Sequence, residues 1–269
     1  MASRHYSDIG NGNVIHMHTP FALDINEKYD YRRRGLLPTV WFYIFHSFVI
    51  IILYPVFLLL FGFRIKGLRN MRGARRGGFV AVSNHVHVLD SPMFSCAVGF
   101  RRTYYVTLAS NFCIPVVRHI IRWLGAVPLS DSPSQLGRMF GEMEAALRSG
   151  KALLMYPEGV LIPYCRKLRD FKRGTFLLAA KAEVPVVPMA ITFRQPSGLY
   201  RLFKKKPLVT LNVMAPVYPD AALPVRARAA ALESACRSAM LACVTGASGE
   251  AEKSTPTGGD AHESSFHAQ

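Results

Sequence analysis

The sequence predicts an α/β fold, a largely parallel central sheet flanked by helices and preceded by a short apolar two-helix membrane anchor. Three observations carry it. From residue 77 onward, short apolar runs alternate with amphipathic stretches, the pattern of strand–helix units around a parallel sheet. Residues 38–63 form one uncharged apolar run apart from His46. The chain has 269 residues and is half apolar, enough for one large core.

Residues 1–37 are polar, include the turn-forming GNGN, and end in Arg32, Arg33 and Arg34. They are expected to form a loosely ordered arm, and no cleavable signal is read in them because the first apolar run starts too late. The run PTVWFYIFHSFVIIILYPVFLLLFGF, as a continuous helix, would reach ~39 Å, longer than the ~30 Å hydrocarbon core. Basic residues lie on both sides of it: Arg32–Arg34 before, and Arg64, Lys66, Arg69 and Arg72 after. A single crossing would put one basic flank on the translocated side, against the positive-inside tendency. Pro55 interrupts the helix ladder. The expectation is two short helices dipping into one leaflet at the cytoplasmic face of the cell membrane, with a single tilted span as the alternative.

The remainder, residues 64–244, is expected to be one domain and offers strands at 78–83, 103–108, 125–129, 151–156, 185–192 and 208–214. It offers helices at 91–99, 111–123, 133–149, 174–183 and 225–244. Ser91–Pro92 has the form of an N-cap and first helical residue, and Gly150 that of a helix stop. Residues 245–269, rich in Gly, Ser, Thr and Glu, are expected to be a disordered tail.

Charge and cysteines narrow the function classes. There are 33 Lys+Arg against 17 Asp+Glu, a net charge of +16, which favours anionic partners. The five cysteines are scattered and odd in number, with no paired spacing for a disulfide framework or zinc knuckle, which suits a reducing compartment. No reader motif or aromatic–basic stacking platform points to nucleic acid.

The chemistry concentrates in SNHVHVLDSP, residues 83–92. His85 follows one strand and Asp90 precedes a helix, so the pair flanks a β-to-α loop at a carboxyl strand end, where sites form in parallel sheets. Glu158, in MYPEG, follows another strand and should reach the same edge. A neutral imidazole takes a proton from a hydroxyl near neutral pH, and a carboxylate on its other nitrogen fixes the tautomer. No GxSxG elbow and no comparably placed cysteine supplies a protein nucleophile. The base would therefore activate a hydroxyl of the substrate, in direct group transfer to a lipid. Two other readings stand beside this one. His85, His87 and Asp90 have ligand-like spacing for a metal-dependent hydrolase. Charge and anchor alone would also make a non-enzymatic basic protein of the membrane surface.

NHVHVLD, YPEG, FKRG and VPVVPMAI occur in this order over about residues 65–215. Together they resemble the blocks of the glycerolipid acyltransferase family, whose members include PlsC-like 1-acylglycerol-3-phosphate acyltransferases. The resemblance implies that His85 and Asp90 are catalytic. It implies that Asn84, Glu158, Gly159, Lys172 and Arg173 belong to substrate binding and that Pro188 lies in a structural or acyl-lining block. It also implies a two-helix anchor, a lipid bilayer as partner, and a lysolipid acceptor, first of all 1-acylglycerol-3-phosphate giving phosphatidate. The acyl donor would be acyl-CoA or acyl carrier protein as co-substrate, with no metal and no redox cofactor. The chain departs from the pattern in three places. Val160–Leu161 stands where Thr-Arg is usual, Asp131 stands near where an arginine is usual, and His87 stands where serine is common. Arg166, Lys167, Arg169 or Arg173 would have to replace the two arginines.

Overall fold

Seven strands run in the order β1-β7-β6-β2-β5-β3-β4: β1 Arg64–Lys66, β2 Phe79–Ser83, β3 Thr103–Leu108, β4 Ala126–Leu129, β5 Ala152–Met155, β6 Val186–Arg194 and β7 Leu208–Val213. The computed structural model describes Ile25, residues 29–130 and residues 132–253. Every pairing is parallel except β6 with β7. β2 lies mid-sheet and all five of its residues are buried. Its alternation divides the core: Val80 and Val82 join one cluster, Phe79 and Ala81 the other. Burial on both faces is why these strands read as unbroken apolar runs in the sequence.

One face carries α5 (Pro133–Arg148), α6 (Gly174–Ala182) and α8 (Val225–Lys253), which bring Met139, Met143, Phe176, Leu232 and Met240 onto the sheet. The other carries α3 (Asp90–Val98) and the apolar segment, through Met93, Phe94, Phe57 and Phe63. After α5, Gly150 adopts φ 81°, and the amides of Gly150 and Lys151 reach back to Leu147 and Ala146, so the expected stop is in place.

The apolar segment is one continuous helix, not two. α1 (Leu36–Phe48) passes through a π-helical stretch, Val49–Leu53, into α2 (Tyr54–Phe61). The π stretch just ahead of Pro55 gives the ring room that a regular turn denies it, so the chain need not break. By length and composition the helix could cross a membrane. Along its length Phe42, His46, Val49 and Phe57 are buried against the domain, while Leu37, Ile44, Ile51 and Leu59 are exposed.

Four other expectations are revised. The end of the N-terminal arm is packed: Ile25 and Tyr31 enter the core, and the Tyr31 hydroxyl donates to the Gln135 carbonyl at 3.3 Å. The expected helix 111–123 is split into a 3-10 turn, Ala109–Cys113, and α4 (Val117–Trp123), because Pro115 and the positive φ of Val116 come between them. α3 begins at Asp90 rather than after Ser91; Pro92 still falls among the first amides, which have no helical acceptor. α8 continues to Lys253, past the expected end at 244. Residues 1–24 and 26–28 of the arm, Asp131, and residues 254–269 of the tail lie outside the described residues. β1 and the short α7 (Tyr200–Phe203) were not expected.

Candidate active site

β2 ends at Ser83 and delivers the loop 84–89 to the carboxyl edge of the sheet. There the His85 Nδ1 lies 3.0 Å from Asp90 Oδ2. The same oxygen accepts the backbone N–H groups of Val86 (3.0 Å) and His87 (3.1 Å). With two N–H donors already on Oδ2, the third contact is satisfied when His85 Nδ1 carries the proton, which leaves Nε2 as the free base. Asp90 is buried at the start of α3, where the helix amides favour a carboxylate. Its Oδ1 has no partner among the described residues.

The imidazole is fixed in a second direction. It stacks on Tyr156, centroids 4.0 Å apart and planes 13° apart, and the Tyr156 hydroxyl pairs with Ser91 Oγ at 3.0 Å. Burial, reinforced by the Asp90 charge, pushes the Tyr156 phenol well above its ordinary range, so it stays neutral beside the histidine. The His85 side chain keeps 25% of its surface open. Tyr156 was not assigned a role from the sequence, and Ser91 was read only as a helix cap. The strand-end position of Tyr156 beside Glu158 was the available signal.

Glu158 does reach the same edge, but its carboxylate is used by the protein rather than left open for substrate. Oε2 accepts the His85 backbone N–H at 3.2 Å and Arg169 Nη2 at 2.6 Å, and Oε1 accepts the Arg169 backbone N–H at 3.0 Å. Its side chain is fully buried. Arg169 also donates to the carbonyls of His85 (3.4 Å) and Val160. The amides of Ile162 and Tyr164 complete the clamp on the carbonyls of His85 (3.1 Å) and Val86 (2.8 Å). Arg169, named only as a replacement phosphate ligand, is therefore committed to this internal pair.

Asn84 is likewise corrected. Its Nδ2 donates to the Ile191 carbonyl (2.9 Å) and its Oδ1 accepts the Ile191 N–H (2.8 Å), so the amide stitches β2 to β6. Pro188 pairs with Val82 in that same ladder. Gly159 has φ 77°, and a Cβ there would come within 2.9 Å of the Lys172 side chain. Lys172 thus lies over Gly159, held by its amide on the Pro157 carbonyl at 2.9 Å, with its side chain exposed. Arg173 is exposed at the N-cap of α6, with no contact to the His85 loop among the described residues.

His87 turns away from His85. Its Nδ1 accepts the Leu89 N–H at 3.1 Å, and its ring meets Phe61 and Tyr164 edge-on. Burial lowers its pKa against the pull of Asp90, and Lys206 lowers it further. Residues 84–89 are loop, so the ligand-like spacing of His85, His87 and Asp90 does not set the two imidazoles on one strand face. Among the described residues no three His, Cys, Asp or Glu gather into a metal-holding group. Lys206 over Tyr164 (5.6 Å) and Lys204 over Phe61 (5.7 Å) are cations at this edge that the sequence reading missed. Nothing in the charge of Lys204, Lys205 and Lys206 signalled where they would lie.

The class this geometry defines is an α/β protein with an imidazole–carboxylate pair at a parallel-sheet edge. Residues 63–192 match the family model described as Acyltransferase. The chloroplastic 1-acyl-sn-glycerol-3-phosphate acyltransferase LPAT1 of Arabidopsis thaliana is 32% identical over 155 residues, 55% of this chain and 41% of that protein. The chloroplastic 1-acyl-sn-glycerol-3-phosphate acyltransferase BAT2 of Brassica napus is 33% identical over 130 residues, 47% of this chain and 36% of that one. The chain thus matches about two fifths of the length of these relatives. The crystal structure of PlsC, the 1-acyl-sn-glycerophosphate acyltransferase of Thermotoga maritima, aligns with a TM-score of 0.45 at 21% identity, over 78% of this chain and 97% of that one. Residues 63–192 thus carry the likeness to the acyltransferase family, and both of these relatives are named 1-acyl-sn-glycerol-3-phosphate acyltransferases.

Proposed function

We propose that this protein is an O-acyltransferase that moves a fatty acyl group from a thioester carrier to the free hydroxyl of 1-acylglycerol-3-phosphate, giving phosphatidate. The observation that carries the reading is the His85–Asp90 pair, 3.0 Å apart at the carboxyl edge of β2. His85 Nε2 takes the hydroxyl proton as the alcohol oxygen attacks the thioester carbonyl. The C–O bond forms, the C–S bond breaks, and the imidazolium returns its proton to the departing sulfur, so ester and free thiol result. Asp90 holds the tautomer and stabilises the imidazolium. Glu158 and Arg169 hold the His85 backbone rather than the acceptor. Lys172 and Arg173, both exposed, keep the proposed phosphate-binding role, as do the exposed Arg166 and Lys167. The donor is acyl-CoA or acyl carrier protein, both thioesters, and the chemistry of this pair requires no metal or redox group.

The bilayer is the second partner in the reading, with the catalytic domain at its cytoplasmic face. The helix Leu36–Phe61 buries residues against the domain from Phe42 to Phe57, ~22 Å of its length. A helix docked lengthwise on a folded domain lies along the membrane surface rather than across it, which favours the monotopic arrangement.

The test is direct. Full-length protein in phospholipid vesicles, given labelled acyl-CoA or acyl carrier protein and 1-acylglycerol-3-phosphate, should yield phosphatidate by mass. His85→Ala should lower the rate about 10²- to 10⁴-fold, the usual contribution of a positioned base. Absence of phosphatidate with both donors would overturn the assignment.

A further inference from the structure

Beyond the helix, one more exposed apolar surface lies beside the site. The β6–β7 connection, residues 195–207, carries α7 at its tip. Leu199, Leu202 and Phe203 there are 74%, 77% and 71% exposed. A soluble surface rarely places three large apolar side chains so openly within five residues. The tip is tied to α2: the Tyr200 hydroxyl donates to the Leu58 carbonyl, and Lys204 lies over Phe61. Leu59, next along α2, is 72% exposed, so the two apolar patches belong to neighbouring elements.

Charge supplies the second observation. Arg201, Lys204, Lys205 and Lys206 surround the apolar tip, and no acidic residue occurs between Glu183 and Asp220. Leucine and phenylalanine ringed by lysine and arginine is the composition of a segment that seats its apolar side chains among acyl chains and its cations at anionic headgroups. A protein partner would need no such one-signed rim.

We infer that the loop Gly198–Lys206 is a second membrane contact that docks on an anionic lipid surface and fixes how the domain is rolled about its helix. This goes beyond the bilayer contact by residues 36–61 proposed above. A helix lying along a membrane leaves rotation about its own axis weakly determined. An off-axis contact removes that freedom. The loop is also coupled to the site: Lys206 lies over Tyr164, whose ring meets His87 and whose amide holds the Val86 carbonyl. Seating the loop therefore turns the carboxyl edge of the sheet, and His85 with it, toward the lipid surface.

The experiment needs no enzymatic activity, so its outcome is separable from that of the acyltransferase reading. Phe203→Trp in the full chain is reconstituted into vesicles of chain-brominated phosphatidylcholine, with or without about one third phosphatidylglycerol. The parent, with Trp41 and Trp123, gives the background. Emission added by residue 203 should be quenched at least about twofold, and more strongly with the anionic lipid. Arg201→Glu with Lys205→Glu should remove the extra quenching. Unquenched emission at a water-exposed wavelength overturns the proposal. So does blue-shifted, unquenched emission accompanied by a dimer on sedimentation, which would mean that a second copy covers the tip.

Discussion

Asp90 Oδ2 gathers three N–H groups, from His85, Val86 and His87, within 3.1 Å. One oxygen therefore sets both the loop's shape and the imidazole's tautomer. Asp90→Asn keeps the volume but brings an NH₂ that can face those donors or force the other tautomer. The expected outcome is a fall in kcat of about 10²- to 10⁴-fold with the fold retained, read by steady-state kinetics alongside circular dichroism. His87 yields a prediction of the opposite kind, on stability rather than rate. Its pKa is lowered in the folded state because burial disfavours the imidazolium. The unfolded chain then binds more protons than the folded one at pH values between the lowered pKa and about 6.5, so stability rises with pH through that window. His87's contribution is fully present above about pH 6.5 and is lost as pH falls toward its folded-state value. Denaturation midpoints should decline on acidification in the parent. They should decline less in His87→Asn, which still offers an oxygen to the Leu89 amide, and that variant should retain transfer activity.

The two loops at the site are joined by elements that sequence patterns represent unequally. The six longer strands were legible because burial on both faces leaves runs such as FVAVS and ALLM with no polar interruption. β1 was not: RIK has one apolar residue between two charges, too short a run to show an apolar pattern. The same contrast holds within the site. The His85–Asp90 pairing was legible, since a loop of fixed length between a strand and a helix leaves the two side chains few places to go. The role of Glu158 was not, because its partner Arg169 sits eleven residues on in irregular chain and two of its three hydrogen bonds come from backbone amides. Glu158→Gln separates the two accounts. Replacing charge-assisted bonds by neutral ones should cost about 1.5–3 kcal/mol, read by chemical denaturation. It should lower kcat more than it raises KM for the acceptor, because the carboxylate touches His85's backbone; a change mainly in KM would restore the binding role.

At the scale of the whole molecule, the apolar helix is part of the core as well as long and apolar enough to cross a membrane. Phe42 and Phe57 are almost wholly buried, and such side chains contribute roughly 1.5–3 kcal/mol each. Its registration against the domain depends on the π stretch. Val49 and Phe57 are eight residues apart, which in a regular helix would leave them about 80° out of line. The wider turn at Val49–Leu53 absorbs the mismatch and puts both on the buried side. The stretch accordingly holds one residue more than regular winding requires. Deleting Ile51, which is exposed, leaves seven residues between those anchors and only about 20° of misalignment, so the chain should stay folded with a thermal midpoint near that of the parent. Deleting Ile44, equally exposed, has no such slack to draw on: Phe42 would swing by about 100° and the midpoint should fall sharply. Length variation in this helix is thus tolerated at one address and punished a turn or two away.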